Sequence, residues 1–111
     1  MEINEQSHGA VTVLKPMGPL LNPDAEQFKK RALDVVARNL GRLVIDASAI
    51  AFVDSCGVEA LADVTEKIGQ SGRALKLCAA NPTVLRVLEL TGWNDAFEYF
   101  EDVNSGVRSF L

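Results

Sequence analysis

The chain has 111 residues, enough for one domain with a real core and too few for two. Hydrophobic residues make up 48% and charged residues 23%, a balance that excludes an intrinsically disordered chain. The formal net charge is −4, and Arg38, Arg42 and Arg73 are scattered rather than gathered in a stripe, which argues against nucleic-acid binding.

The N-terminal stretch Met1-Glu2-Ile3-Asn4-Glu5-Gln6 is acidic and polar and does not read as a signal peptide. It reads as a flexible segment that also contains His8, the only histidine. Ala10-Val11-Thr12-Val13-Leu14 alternates and is rich in β-branched residues, so a strand is expected, broken by Pro16-Met17-Gly18-Pro19. Asn22-Pro23-Asp24 reads as a helix start, with Asn22 as cap and Pro23 at the first helical position. Phe28, Ala32, Val35 and Val36 follow at helical spacing, and Gly41 supplies the stop. Leu43-Val44-Ile45-Asp46 is apolar until its end, as suits a strand buried on both faces of a parallel or mixed sheet.

A second helical stripe, Val58, Leu61, Ala62, Thr65 and Ile68, ends near Gly69 and Gly72. Ala74-Leu75-Lys76-Leu77-Cys78 is a short strand, and Asn81-Pro82 opens a helix with the face Val84, Leu85, Leu88 and Leu90, closed by Gly92. Phe97-Glu98-Tyr99-Phe100 is a last strand, and Asp102 begins a terminal helix carrying Val103, Val107, Phe110 and Leu111. Alternating strands and helices specify an α/β sheet with helical crossovers.

Ser55 is the most informative residue for function. It stands where the apolar strand gives way to the second helical stripe, in position to cap that helix with its hydroxyl toward solvent. The first N–H groups of a helix lack intrahelical partners and its dipole is positive there, so this end also accommodates a phosphate. From the residues alone, Ser55 is either a plain cap or a site of reversible modification.

Enzymatic readings find little support. His8 is the only histidine and lies in the N-terminal stretch expected to be flexible, so no Ser/His pair or His-based metal site is expected. Neither a GxxxxGK[ST] loop nor a GxGxxG fingerprint is present. Cys56 and Cys78 are the only cysteines and form no CxxC pair, which points to reduced thiols in a cytoplasmic protein. No uncharged run approaches the ~20 residues that span a bilayer. Trp93, after Gly92, reads as a hydrophobic plug or a partner contact.

The block Leu43-Val44-Ile45-Asp46-Ala47-Ser48-Ala49-Ile50-Ala51-Phe52-Val53-Asp54-Ser55-Cys56-Gly57-Val58 resembles the signature of STAS domains, and in particular of the single-domain anti-sigma factor antagonists of bacteria. Asn81-Pro82-Thr83-Val84-Leu85-Arg86-Val87-Leu88-Glu89-Leu90-Thr91-Gly92 is similar to the segment after the family's last central strand, and the stretch from Phe97 to Leu111 also fits. The resemblance implies one STAS domain over residues 1–111: a mostly parallel sheet of four to five strands, with about four helices packed chiefly on one side.

It also implies a non-catalytic, monomeric switch without metal or cofactor. Its partner is an anti-sigma factor that doubles as a serine kinase. That kinase phosphorylates the first serine of the family's Asp-Ser-Ser-Gly motif and so ends the partnership, and a metal-dependent serine phosphatase restores it. Carried over by position, the phosphoacceptor is Ser55, and the partner-binding residues are Asp24, Asp46, Asp54, Ser55, Cys56, Gly57 and Glu59. Asp46, Asp54 and Glu59 are expected on one surface. Asp54 is either a turn residue or an aid in positioning the serine, and Asp46 either caps a turn or joins the recognition face.

Two departures stand out. Cys56 occupies the position of the usual second serine, which leaves Ser55 as the only hydroxyl in the motif, and it is expected to be a small packing residue. In the first loop, Gly18-Pro19-Leu20-Leu21 lacks the acidic residue that often follows the turn, and Asp24 is nearby but shifted. The same resemblance leaves open an adaptor for a non-sigma output, a subunit of a lipid-transport complex, or the cytosolic part of an anion transporter.

Overall fold

In the computed structural model, which describes residues 1–111, one five-stranded sheet runs in chain order from edge to edge. Ile3–His8 (β1) and Val11–Pro16 (β2) form an antiparallel hairpin, with Ile3 opposite Pro16 and His8 opposite Val11. Leu43–Asp46 (β3), Leu75–Cys78 (β4) and Phe97–Phe100 (β5) then add in parallel. The N-terminal stretch expected to be flexible is therefore an edge strand. Its composition hides it: only Ile3 is apolar, and its order comes from pairing with β2 and from Glu5, whose carboxylate receives Arg31 at 3.0 Å and Arg38 at 3.4 Å.

The helices are Asp24–Asn39 (α1), Ser55–Gly69 (α2), Pro82–Leu90 (α3) and Val103–Arg108 (α4). Residues of α1, α2 and α3 bury Phe28, Leu61, Val64 and Leu88 with Leu14, Ile45 and Leu77 of the sheet in one core of 21 residues. Strand alternation sends Val11, Val13, Val44 and Cys78 to the opposite face, where Val103, Val107 and Phe110 cover them. Packing of α4 needs a glycine. A Cβ on Gly106 would lie 2.5 Å from Cys78 Sγ, and burial pushes that thiol up to about 11. Lys76 is buried on the same face, its ammonium 3.2 Å from Glu98 and 4.5 Å from the centre of the Phe110 ring.

Three local expectations change. Asn22 does not cap α1, which begins at Asp24 after Pro23 with no side-chain cap; the Asn22 N–H is engaged elsewhere, by Asp54. On α3, Asn81 does cap, accepting from the Val84 N–H at 2.8 Å, but Leu85 and Leu90 are exposed. Nine residues bury only the Val84–Leu88 pair one turn apart, so the predicted stripe was too wide. At the end of α1 the left-handed turn starts at Leu40, φ 61°, one residue before Gly41, φ 80°.

Leucine is a poor occupant of a left-handed position because its Cβ crowds the following carbonyl. Leu40 is also 73% exposed and contributes little packing. Leu40→Gly is therefore expected to stabilise the protein by about 1 kcal/mol, seen as a higher urea midpoint with an unchanged m-value.

Candidate functional site

The site is built where two loops run side by side. Leu20, between β2 and α1, forms a parallel bridge with Val53, between β3 and α2. The Leu20 N–H donates to Phe52 O at 3.0 Å, and the Asp54 N–H donates back to Leu20 O at 3.2 Å. From the far side, Asn81 Nδ2 donates to Ile50 O and Ala51 O, which ties the second loop to the start of α3.

Asp54 closes this arrangement. It has extended backbone, and it, not Ser55, is the cap of α2: its Oδ1 accepts from the Gly57 N–H at 2.8 Å. Its Oδ2 accepts from the Asn22 N–H at 3.1 Å, so one carboxylate joins the helix end to the neighbouring loop. These two backbone donors, Gly57 first, hold the Asp54 carboxyl below its ordinary value of 3.8. Gly57 follows from the same crowding. A Cβ there would stand 2.2 Å from Leu20 O, so only hydrogen allows the first turn of α2 to press against the loop.

Ser55 is thus the first residue of the helix rather than its cap, and it is exposed. Its own N–H makes no intramolecular hydrogen bond. Cys56 is half-buried against the main core, in a small cleft with Asn22, Lys29 and Glu59. Ser55 also heads a groove of about 260 Å³ that descends α2 past Val58, Glu59, Ala62 and Glu66 to Trp93. Trp93 is half-buried against the core and lines this groove at its end. Glu59 is exposed, whereas Asp63, also on the groove, is 3.3 Å from Lys29.

The carboxylates expected on one surface are divided. Asp54, Ser55, Cys56, Gly57 and Glu59 lie together at the start of α2. Asp46 is on the α4 side of the sheet, in register with Cys78, where it lines a cleft with His8, Lys15 and Asn104. Its Oδ1 accepts from the Ser48 N–H at 3.0 Å, which makes it a turn cap. Strand alternation is the cause, since Val44 and Asp46 share a face and Ile45 points the other way. Asp24, in the first turn of α1, lies 3.5 Å from the Met1 amino nitrogen. His8 is on β1 and lines the Asp46 cleft rather than the groove below Ser55. Leu20, Asn22 and Asn81 complete the site. Leu20 and Asn22 had no functional signal in the sequence, because their roles are main-chain contacts between distant segments. Asn81 was legible as a helix start but not as a tie to the loop before Asp54.

Comparison with known proteins agrees with this architecture. The STAS domain family profile matches residues 2–106. The anti-sigma-F factor antagonist RsfB of Mycobacterium tuberculosis is 36% identical over 104 residues, covering 91% of this chain and 84% of RsfB. A crystal structure of an anti-sigma factor antagonist from Mycobacterium paratuberculosis superposes with a TM-score of 0.82 at 26% identity, covering 97% of this chain and 92% of the other. The Bacillus cell fate determinant SpoIIAA in its phosphorylated form shares the fold, with a TM-score of 0.75 at 13% identity over 99% of this chain and 100% of that one.

Two substitutions test the loop clamp. Gly57→Ala forces a Cβ against the Leu20 carbonyl and is expected to cost about 1–3 kcal/mol in denaturant unfolding. Asp54→Asn removes the charge and turns an amide N–H2 toward one of the two donors. Because the folded carboxyl titrates below its ordinary value of 3.8, its stabilisation is complete at neutral pH and is lost as pH falls below that value. The gap in melting temperature between the parent and Asp54→Asn is expected to narrow on acidification from pH 7 through that window.

Proposed function

The chain belongs to the STAS domain family, and from that premise we propose that it is an anti-sigma factor antagonist switched by phosphorylation of Ser55. Unphosphorylated, it binds an anti-sigma factor with serine kinase activity, which then releases its sigma factor. The observation that carries this reading is the exposed Ser55 hydroxyl, the only one in its motif, held on the first turn of α2 by the Asp54–Gly57 clamp. Similarity to RsfB supports the antagonist role.

The chain supplies a substrate rather than a catalyst. No histidine stands near Ser55 and the Asp54 carboxylate is engaged by the Gly57 and Asn22 N–H groups, so the base that takes the hydroxyl proton is assigned to the kinase. In the transfer, Ser55 Oγ bonds to the γ-phosphorus of ATP, the bond to the β-phosphate oxygen breaks, and ADP leaves. Glu59 and Glu66 make the adjoining groove acidic, which suits a kinase surface bearing Lys or Arg. Asp54 and Gly57 act from behind as positioning residues, while Ser55, Glu59 and the half-buried Cys56 offer the contact surface.

Phosphorylation adds about −1.5 to −2 charges and three acceptor oxygens. The free Ser55 N–H and the α2 dipole accommodate this charge, so the fold survives it. The partner is affected differently. A surface closed over a small hydroxyl meets bulk and a dianion to desolvate, and a loss of only ~1.4 kcal/mol lowers affinity tenfold. The switch requires no rearrangement of the sheet. A metal-dependent serine phosphatase returns the protein to its binding form.

Incubation with candidate serine kinases and ATP, followed by mapping of the modified residue, tests the acceptor. Ser55→Ala is expected to resist modification yet bind the kinase like the parent, while Ser55→Asp loses at least about tenfold in affinity. Equal binding by Ser55→Asp and the parent, or a phosphate mapped to another residue, rules the proposal out.

A further inference from the structure

The sheet ends at β5, which pairs only with β4, so one side of β5 is a free edge. The Ala79 N–H donates to Phe100 O at 2.9 Å, which turns the Phe100 main chain inward. Strand alternation then directs the N–H and C=O of Tyr99 outward along that edge. Beside it lies a groove of about 420 Å³, with Leu77, Ala79 and Ala80 below and Leu85 and Tyr99 at the sides. Leu85 is 38% and Tyr99 40% exposed, so this apolar lining is open to solvent. None of its residues is shared with the groove below Ser55.

The surroundings are acidic. Glu101 lines the groove, and the segment from Asn94 to Asp102 contains four carboxylates and neither Lys nor Arg. Burial pushes the pKa of the Tyr99 phenol up, and Asp95 is near enough to add to that effect. Glu98 is paired with Lys76 on the other face and Asp102 caps α4, which leaves Asp95 and Glu101 to set the charge of the edge. The opposite sheet edge differs: β1 is polar, and its Glu5 is occupied by Arg31 and Arg38.

We propose that the free edge of β5 and its groove form a second docking surface, for an extended segment of a partner protein that carries an apolar anchor flanked by Lys or Arg. The segment adds as a sixth strand, exchanging main-chain hydrogen bonds with Tyr99 and seating its anchor between Leu85 and Tyr99. A second copy of this chain is not the occupant, because two β5 edges would bring their Asp95 and Glu101 carboxylates together while Lys76 and Arg86 are already paired with Glu98 and Glu89.

The test is an NMR titration of the full chain with a capped synthetic peptide of alternating lysine and valine, and with the matching glutamate–valine peptide. The lysine peptide is expected to give saturable shifts at Phe97–Glu101 and Leu85. Leu85→Glu, Glu101→Lys, or N-methylation of the peptide should each weaken binding about tenfold or more. The glutamate peptide should not saturate. Absence of saturable shifts at β5, shifts centred on the α2 groove, or binding indifferent to Leu85→Glu and to N-methylation would each overturn the proposal. So would occupation of the groove by a free aromatic or alkyl probe but not by the peptide, which makes it a small-molecule pocket.

Discussion

The carboxylate of Asp54 is the contact on which the site depends. Its two oxygens accept from Gly57 at the start of α2 and from Asn22 at the approach to α1, so one side chain ties two loops that are distant in sequence. Parallel bridging of Leu20 and Val53 brings those loops together, and the missing Cβ of Gly57 lets the helix close on them. An acceptor for a backbone N–H in this position is worth more than a generic surface contact, because an orphan donor at a helix end has few other partners. Ser55 inherits its exposure and direction from these three features and makes no hydrogen bond of its own with another residue's side chain.

This division of labour within four consecutive residues separates stability from function. Asp54 and Gly57 face the protein and set the geometry, whereas Ser55 faces solvent and contributes almost nothing to packing. Cys56 stands between, half-buried on the core. A modification of the exposed member can therefore alter a surface without unfolding the helix that presents it. Nothing about the arrangement requires the chain to perform chemistry itself.

The sheet has two unequal faces. One is covered by α1, α2 and α3 over the large core, and the other by the short α4 over Val11, Val13, Val44 and Cys78. A six-residue helix covers little area, and the smaller face compensates with close approach at Gly106 and with the Lys76 ammonium set against Phe110. What α4 leaves open is the polar cleft around Asp46 and His8. What α3 leaves open is the groove beside β5. The first opening follows from an α4 of only six residues, and the second from the unpaired edge of β5.

Much of this was legible in the chain. Leu43–Asp46 and Phe97–Phe100 were read with their observed bounds, since continuous apolar or aromatic runs between breakers are local signals. The start of α3 at Asn81-Pro82 and the α2 stripe from Val58 to Ile68 followed from period and breaker chemistry. The polar strand β1 was not legible, because its register comes from β2 and its ion pairs from α1. The cap of α2 was placed one residue late, at Ser55, since Asp54 and Ser55 have equal local claims and only the Asn22 and Gly57 donors choose between them. Sequence alone determined the α/β class, the order of the main elements from β2 onward and Ser55 as the residue to watch, all properties of period, propensity and motif. Tertiary structure alone decided that Asp46 faces away from Ser55, that Gly57 is sterically required, and that an apolar groove lies open beside one edge of the sheet. Those depend on which face each strand residue takes and on contacts between segments far apart in the chain, and no local pattern encodes either.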